Sequence, residues 1–259
     1  MKTVILCGGK GSRLGEITEG LLPKPMVEIG GRPILWHLMD YYARAGSSQF
    51  ILCAGHKSSH IKNYFMNYRF HNADVRFCTG SGEVQFMSDV SEDWDVLVSE
   101  TGEDTQTAGR LARVAKYIGE GEDFFLTYGD GLSDIDLAAL TEFHRSHGKL
   151  VTMSGVIPPG RFGEMTMEGD RIAEMHEKPD QSDRYINGGF MVMNRRFVDQ
   201  YCGGDADAVM LERAPLERAA RDGELMMFRH LGFWQCMDTA RDWSLLDSLA
   251  KQAEVPWVR

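Results

Sequence analysis

The sequence lacks a long apolar run, closely paired cysteines and an excess of positive charge. No apolar stretch reaches the roughly 20 residues of a membrane span, and the first residues lack the charged and apolar regions of a signal peptide. The five cysteines are odd in number and form no CxxC motif, which predicts reduced thiols. We therefore expect a cytoplasmic protein with no membrane partner.

The composition is that of an acidic globular protein. The 259 residues carry a formal net charge of -10, which argues against a nucleic-acid partner. Its hydrophobic content of 43% is ordinary for a globular protein, and a chain of this length can bury a sizeable core. No internal repeat, low-complexity tract or linker interrupts it, so one compact unit is expected.

Several familiar motifs are also absent. There is no P-loop, because no Gly-Lys-Ser/Thr follows a four-residue gap after a glycine. The dinucleotide spacing G-x-G-x-x-G is absent, which argues against a dinucleotide-dependent dehydrogenase, and so is the hydrolase motif G-x-S-x-G. His56 with His60, and His144 with His147, have helical spacing but no evident third ligand for zinc.

What is present is an apolar strand followed by a glycine-rich loop. The run from Thr3 to Cys7 predicts a buried parallel strand. The loop contains three glycines, Gly8, Gly9 and Gly11. Their bare amides form a nest that suits a phosphate, although glycines alone also fit a flexible turn. Arg13 and Lys24 add two cations, and the prolines on both sides of Lys24 restrict its backbone.

Strands and helices alternate through the first half of the chain. Apolar runs at 50–54, 74–78, 95–99 and 123–127 predict strands, and the patterns at 33–45, 57–68 and 110–118 predict helices. In the second half, short strands are expected at 150–156, 163–167, 171–176, 185–193 and 224–229, with helices at 208–221 and 241–251. The pattern predicts an α/β fold with a Rossmann-like, doubly wound mixed sheet, whose ligands bind at the carboxyl ends of the strands.

The long segment from Gly8 to Leu35 resembles the motif of the sugar-phosphate nucleotidylyltransferases. The resemblance continues through TYGDG, PPGRFG, EKP, INGGF and GFWQ-MDT, and it points to the glucose-1-phosphate cytidylyltransferase branch. It implies one nucleotidyltransferase domain over residues 1–259. Residues 1–148 would form the nucleotide-binding half and residues 149–259 the half that binds sugar phosphate.

The resemblance assigns a set of residues to the nucleotide. They are Leu6, Cys7, Gly8, Gly9, Lys10, Gly11, Ser12, Arg13, Lys24, Thr105, Arg110 and Gly129. Arg13 would bind the β- and γ-phosphates and Lys24 the α-phosphate, which makes both catalytic. Because arginine has only donors, Arg110 suits the two acceptors of cytosine and opposes the N–H of uracil. A surface arginine in the first turn of a helix is the alternative for Arg110.

The second set of residues concerns the metal and the sugar. By resemblance, Asp130 and Asp238 hold the catalytic Mg²⁺, and Asp130 counts as catalytic. The alternatives are an ordinary turn aspartate for Asp130 and a helix N-cap for Asp238. The sugar phosphate would be bound by Gly163, Glu177, Lys178 and Asn187. A lysine or asparagine beside a turn also fits a solvated turn residue.

Taken together, the resemblance implies transfer of a nucleotidyl group from CTP to glucose 1-phosphate, giving CDP-glucose and pyrophosphate. The same reaction with UTP or dTTP stays open, as does a catalytically silent protein that binds nucleotide sugars. The family also leads us to expect a homo-oligomer.

Overall fold

The computed structural model describes residues 1–9, 11, 20–158, 164–168, 171–176, 185–204 and 206–258. The centre of the fold is a seven-stranded mixed sheet. Its strands are β1 (Thr3–Leu6), β4 (Gln49–Ala54), β7 (Asp95–Glu100), β8 (Asp123–Tyr128), β10 (Val151–Val156), β13 (Ile186–Asn194) and β14 (Leu225–His230). They lie side by side in the order β14-β10-β13-β8-β1-β4-β7.

Within this sheet, β13 runs opposite to the other six strands. It pairs antiparallel with β8 and with β10, whereas β1 with β4 and with β8, β4 with β7, and β10 with β14 are parallel pairs. The predicted mixed, doubly wound α/β sheet is therefore confirmed.

Four small sheets lie outside the central one. Their strands pair antiparallel as β2 (Glu28–Ile29) with β3 (Arg32–Pro33), β5 (Val75–Cys78) with β6 (Glu83–Phe86), β9 (Gly131–Ser133) with β15 (Trp234–Cys236), and β11 (Glu164–Glu168) with β12 (Arg171–His176). The β9–β15 pair matters most for function, because it joins two chain segments a hundred residues apart.

Helices cover both faces of the sheet. The α-helices of the described residues are α1 (Ile34–Arg44), α2 (Ser58–Met66), α3 (Tyr68–Asn72), α4 (Thr107–Val114), α5 (Leu137–His147), α6 (Arg195–Tyr201), α7 (Ala214–Arg221) and α8 (Ala240–Ala250). One apolar core packs α1, α5 and α8 against the sheet, and a second packs α4, α6 and α7 against the other face. Alternate side chains of β1 enter the two cores, as expected for a strand buried on both sides.

The strand register brings several loops to one edge of the sheet. Leu6, the last residue of β1, lies opposite Cys53 on one side and Tyr128 on the other. The loops that follow β1, β4, β7 and β8 therefore leave the sheet at the same edge. Since β13 is antiparallel, its first residues are at this edge too, and they bring Asn187 beside Tyr128.

The observed elements differ from the predicted ones where the local pattern is weak. Residues 83–86 form β6 within a segment that carries no clear periodicity, and α5 and α6 were not predicted. The helix predicted over 208–221 begins only at Ala214; residues 206–208 form a separate 3-10 turn, and the residues between the two are not helical. No helix in the described part of the chain combines the length and apolarity needed to cross a bilayer.

Candidate active site

An ion-paired triad lies at the carboxyl-terminal edge of the sheet. Lys24 donates from Nζ to Oδ2 of Asp130 at 2.5 Å and to Oδ1 of Asp238 at 2.6 Å. Along the chain, Asp130 lies 106 residues after Lys24, and Asp238 lies 214 residues after it. Burial lowers the pKa of Lys24, but the two carboxylates outweigh this effect, so its pKa is raised and the ammonium stays charged.

The backbone around Lys24 is held rigidly. Residues 24–26 form a 3-10 turn that begins after Pro23, whose carbonyl accepts a hydrogen bond from Met26 N at 2.9 Å. Gly11, with φ of +58°, packs against the Lys24 side chain, where an added Cβ would come within 3.1 Å of the Lys24 Cβ. The glycine-rich loop and the lysine therefore lie next to each other.

The two aspartates are positioned through the β9–β15 pair. Asp130 directly precedes β9, and its carbonyl accepts a hydrogen bond from Met237 N at 2.8 Å. Asp238 follows β15 and precedes Thr239, the N-cap of α8. The side chain of Asp242 accepts hydrogen bonds from Asp238 N at 3.1 Å and from Thr239 N at 2.9 Å. This capping box holds the Asp238 backbone in place, so Asp238 itself is not the cap.

The two carboxylates suit a divalent metal. One oxygen of each carboxylate contacts the same nitrogen, Lys24 Nζ, so the two side chains converge on one point and could bind one cation between them. Among the described residues, no group of three or more His, Cys, Asp or Glu side chains is placed to hold a metal. Two protein carboxylates with further ligands from water and phosphate are the donor set that Mg²⁺ commonly uses.

A neutral thiol lies beside the two carboxylates. The Sγ atom of Cys236 lies 3.8 Å from Oδ2 of Asp238. Burial raises the pKa of Cys236 to about 11, and the charges of Asp238 and Asp130 act in the same direction. The sulfur therefore stays protonated at neutral pH and adds no negative charge beside Asp238.

The triad opens into a cleft of about 450 Å³. Its wall contains most of the residues expected to bind the nucleotide, namely Leu6, Cys7, Gly8, Gly9, Gly11, Lys24, Thr105, Arg110 and Gly129, together with Asp130 and Asp238. The described charged residues of the wall are Lys24, Arg110 and four acids, including Glu103 and Asp104. Over these described residues the wall is acidic, so a polyanion needs further cations here, such as a metal ion or the Lys10 and Arg13 side chains predicted for the loop.

Arg110 is buried rather than a surface residue, with only 4% of its surface exposed. Its Nη1 donates to Thr101 Oγ1 and Gly102 O at 2.8 Å and to Ala54 O at 3.3 Å. Its Nη2 donates to Gly8 O at 2.9 Å and to Glu103 O at 3.2 Å. The guanidinium therefore joins the loops after β1 and β7 to each other and to the end of β4.

This arrangement requires glycine at two positions, Gly8 and Gly55. A Cβ at either position would overlap the Arg110 guanidinium. Bare amides for a phosphate are thus not the whole explanation of the glycine-rich loop, because Gly8 also leaves space for an arginine. The predicted contact between Arg110 and a base stays a prediction, since the terminal N–H groups here point to protein oxygens.

Sequence reasoning missed a second network at the cleft. Tyr128 and Thr107 both line it and both donate to Glu212, at 2.5 and 2.9 Å. Asn187 Nδ2 lies 3.4 Å from the Tyr128 hydroxyl. Burial raises the pKa of Tyr128, and Glu212 adds to this effect, so the phenol keeps its proton. Tyr128 was visible within the TYGDG motif, but no local pattern marks Glu212.

Some predicted site residues cannot be placed. Lys10, Ser12, Arg13, Gly163, Glu177 and Lys178 lie outside the described residues. Asn187 is half-buried, and its Oδ1 accepts a hydrogen bond from Gly189 N at 2.8 Å, so it is more than a solvated turn residue. His144 and His147 both contact Thr152 Oγ1, at 2.9 and 2.8 Å, which accounts for them without zinc.

Comparison with known proteins gives concordant results. Residues 2–233 match the family model described as nucleotidyl transferase. A glucose-1-phosphate cytidylyltransferase of Salmonella typhi is 45% identical over 99% of this chain and 98% of its own length. A Bacillus subtilis protein, named "Probable glucose-1-phosphate cytidylyltransferase", is 41% identical over 99% of both chains. The structure of HddC from Yersinia pseudotuberculosis superposes with a TM-score of 0.68 at 23% identity, covering 95% of this chain and 98% of that one.

Proposed function

Because the chain belongs to the nucleotidyl transferase family, we propose that it transfers the cytidylyl group of CTP to glucose 1-phosphate, releasing pyrophosphate and forming CDP-glucose. Relatives that carry this name are 45% identical over nearly the whole chain. The structural observation that supports the proposal most is the meeting of Lys24, Asp130 and Asp238 in one cleft beside the glycine-rich loop.

The reaction needs positioning and charge neutralisation more than proton transfer. A phosphate oxygen of the sugar phosphate attacks the α-phosphorus of CTP, and pyrophosphate leaves in line. The attacking oxygen is already an anion, so no general base is required. The obstacle is repulsion between two polyanions, and preorganised cations lower this barrier.

In this proposal the lysine of the triad binds phosphate and the two aspartates bind the metal. Lys24 binds the α-phosphate, and the amides of the Gly8–Gly11 loop receive the outer phosphates together with Arg13. Members of the family generally use a divalent metal. We propose Mg²⁺, held by Asp130 and Asp238, which would neutralise phosphate charge at the reacting centre. The wall is acidic over its described residues, so these carboxylates serve the substrate only through such a cation.

The residues that contact the base and the sugar are proposed mainly from the family resemblance. We keep Thr105 as a base contact because it lines the cleft. Arg110 would have to give up one of its five protein acceptors to reach cytosine, so its first role is to shape the cleft. The assignments of Gly163, Glu177, Lys178 and Asn187 to the sugar phosphate stay predictions, as do the two halves of the chain and the homo-oligomer.

A matrix of triphosphates and sugar phosphates tests the proposal. Pyrophosphate release would be measured for CTP, UTP, dTTP, ATP and GTP, each with glucose 1-phosphate and with the 1-phosphates of other hexoses, with Mg²⁺ and after chelation. We expect CTP with glucose 1-phosphate to give the highest kcat/KM and chelation to abolish turnover. A preference for UTP or dTTP would refute the choice of base, and ligand binding without pyrophosphate release would refute the enzymatic role.

A further inference from the structure

Glu212 lies behind the cleft wall and accepts hydrogen bonds from two residues that line the cleft, Tyr128 and Thr107. The Tyr128 hydroxyl donates to Glu212 Oε1 at 2.5 Å, and Thr107 Oγ1 donates to Oε2 at 2.9 Å. Glu212 is partly buried and does not line the cleft itself. Its carboxylate therefore acts on a ligand only through the two hydroxyls.

This contact fixes the direction of the hydrogen bonds that Tyr128 can make. A carboxylate accepts hydrogen bonds and has no proton to give, so Tyr128 must be the donor. A phenol has one proton, and here Glu212 receives it. The Tyr128 oxygen consequently faces its other neighbours as an acceptor, which matches its contact with the donor Nδ2 of Asn187 at 3.4 Å.

The Tyr128 ring is also held from the other side. A Cβ on Gly189, whose φ is +79°, would come within 2.6 Å of the ring. The indole of Trp234 donates to Gly188 O at 2.7 Å and so fixes the backbone beside it. The position of the phenol oxygen is therefore fixed. The Tyr128 side chain cannot rotate toward a substrate hydroxyl that lies elsewhere in the cleft.

We propose that Glu212 is a positioning residue which holds the Tyr128 hydroxyl as a hydrogen-bond acceptor, and that this oxygen selects a substrate by accepting the proton of one of its hydroxyl groups. The inference rests on the proposed function, because both substrates of that reaction carry hydroxyls, on the hexose and on the ribose. A site built in this way disfavours an analogue that cannot donate, since the phenol oxygen then loses the substrate's hydrogen bond and, as an acceptor, keeps only the long contact with Asn187 Nδ2.

Fluorinated substrates provide the test, because fluorine replaces a hydroxyl in size but cannot donate. We would measure kcat/KM for glucose 1-phosphate and its 2-, 3-, 4- and 6-fluoro analogues, and for CTP and its 2′- and 3′-fluoro analogues. The measured quantity is the ratio of hydroxyl to fluoro substrate, compared between wild type and Tyr128→Phe. Inductive effects of fluorine on the chemistry are common to both proteins and cancel in this comparison.

We expect one position at which the wild-type ratio exceeds that of Tyr128→Phe by about tenfold, the size of one well-placed hydrogen bond. A position on the hexose assigns the partner to the sugar phosphate, and one on the ribose assigns it to CTP. Ratios that agree within about twofold at every position would overturn the inference. A wild type that is inactive with the parent substrates would instead reject the proposed function.

The role of Glu212 is tested with the hydroxyl and fluoro substrates that differ at the position found in this way. In Glu212→Ala the Tyr128 hydroxyl is free to turn its proton into the cleft, so the ratio should fall at least about threefold from the wild-type value. Glu212→Asp, which withdraws the carboxylate by about 1.5 Å, should act in the same way if the alanine variant does not fold. The matched control is Glu217→Ala in α7, an exposed glutamate that should keep the wild-type ratio. A wild-type ratio in folded Glu212→Ala or Glu212→Asp would contradict the assignment.

Discussion

Replacing Arg110 by alanine should destabilise the protein before any ligand is added. The guanidinium donates to five protein oxygens, four in the loops after β1 and β7 and one at Ala54, the last residue of β4. Ala54 O keeps two other donors, Thr101 N at 2.8 Å and Thr101 Oγ1 at 2.6 Å, and water in the cleft can reach part of the rest. If two charge-assisted bonds, to Gly8 O and Gly102 O, go unreplaced at about 1.5 kcal/mol each, the loss is about 3 kcal/mol.

Thermal unfolding of the ligand-free protein measures this loss. About 3 kcal/mol corresponds to a decrease in Tm of roughly 6–12 °C for a chain of this size. Arg110→Lys should lose about half as much, because one ammonium cannot reach the acceptors on both sides. Arg221→Ala, at an exposed arginine of α7, is the matched control and should change stability by no more than about 0.5 kcal/mol.

The result separates two roles for the same side chain. If Arg110 served only to contact the base, Arg110→Ala would raise the KM for CTP and leave the ligand-free Tm unchanged. That outcome would refute the conclusion that the guanidinium holds the cleft loops together. A decrease in Tm together with a raised KM for CTP agrees with the structure, because the loops that bind the nucleotide would be less ordered.

Three further predictions concern the triad, its support and a buried histidine. Lys24→Ala should lose at least about 2 kcal/mol of transition-state stabilisation, which is roughly 30-fold in kcat/KM. The control is Lys251→Ala, at an exposed ion pair, which should keep the wild-type kcat/KM. Near-wild-type turnover in Lys24→Ala would contradict the role of Lys24. Asp242→Asn should raise the Mg²⁺ concentration for half-maximal activity about tenfold by releasing the Asp238 backbone, and an unchanged metal titration would exclude this support. Burial lowers the pKa of His144 in the folded protein, so the unfolded chain binds the proton first and stability should fall as the pH drops below about 6.5. His144→Gln should flatten this dependence in denaturant titrations, and an equally steep decline in the variant would count against it.

The fold was predictable where periodicity is strong. The apolar runs of β1, β4, β7 and β8 alternate with helices, which is enough to predict a parallel sheet with ligands at its carboxyl-terminal edge. In the hairpin of β5 and β6, the strand β5 was predicted, but β6 was not, because its mostly exposed side chains carry no clear alternation. The β9–β15 pairing was hidden for another reason, since it depends on contacts between segments about a hundred residues apart.

The site shows the same limit. Motifs led to Lys24, Asp130 and Asp238, and the structure brings these three side chains together. The alternative of Asp238 as a helix cap fails because Thr239 takes that position. Motifs did not reveal that Gly8 makes room for Arg110, or that Glu212 supports Tyr128, because both are contacts between distant segments. Residue type thus pointed to side chains that the structure places at one cleft, while the direction of their hydrogen bonds required the structure.

The most direct test of the account is the position of the metal and the triphosphate. Crystals grown with CTP and Mn²⁺ would be measured at a wavelength where manganese scatters anomalously, so that the metal is identified without ambiguity. We predict an anomalous peak within bonding distance of carboxylate oxygens from both Asp130 and Asp238, with the CTP phosphates against the Gly8–Gly11 loop and Lys24. A peak elsewhere, or a triphosphate bound away from that loop, would contradict the account.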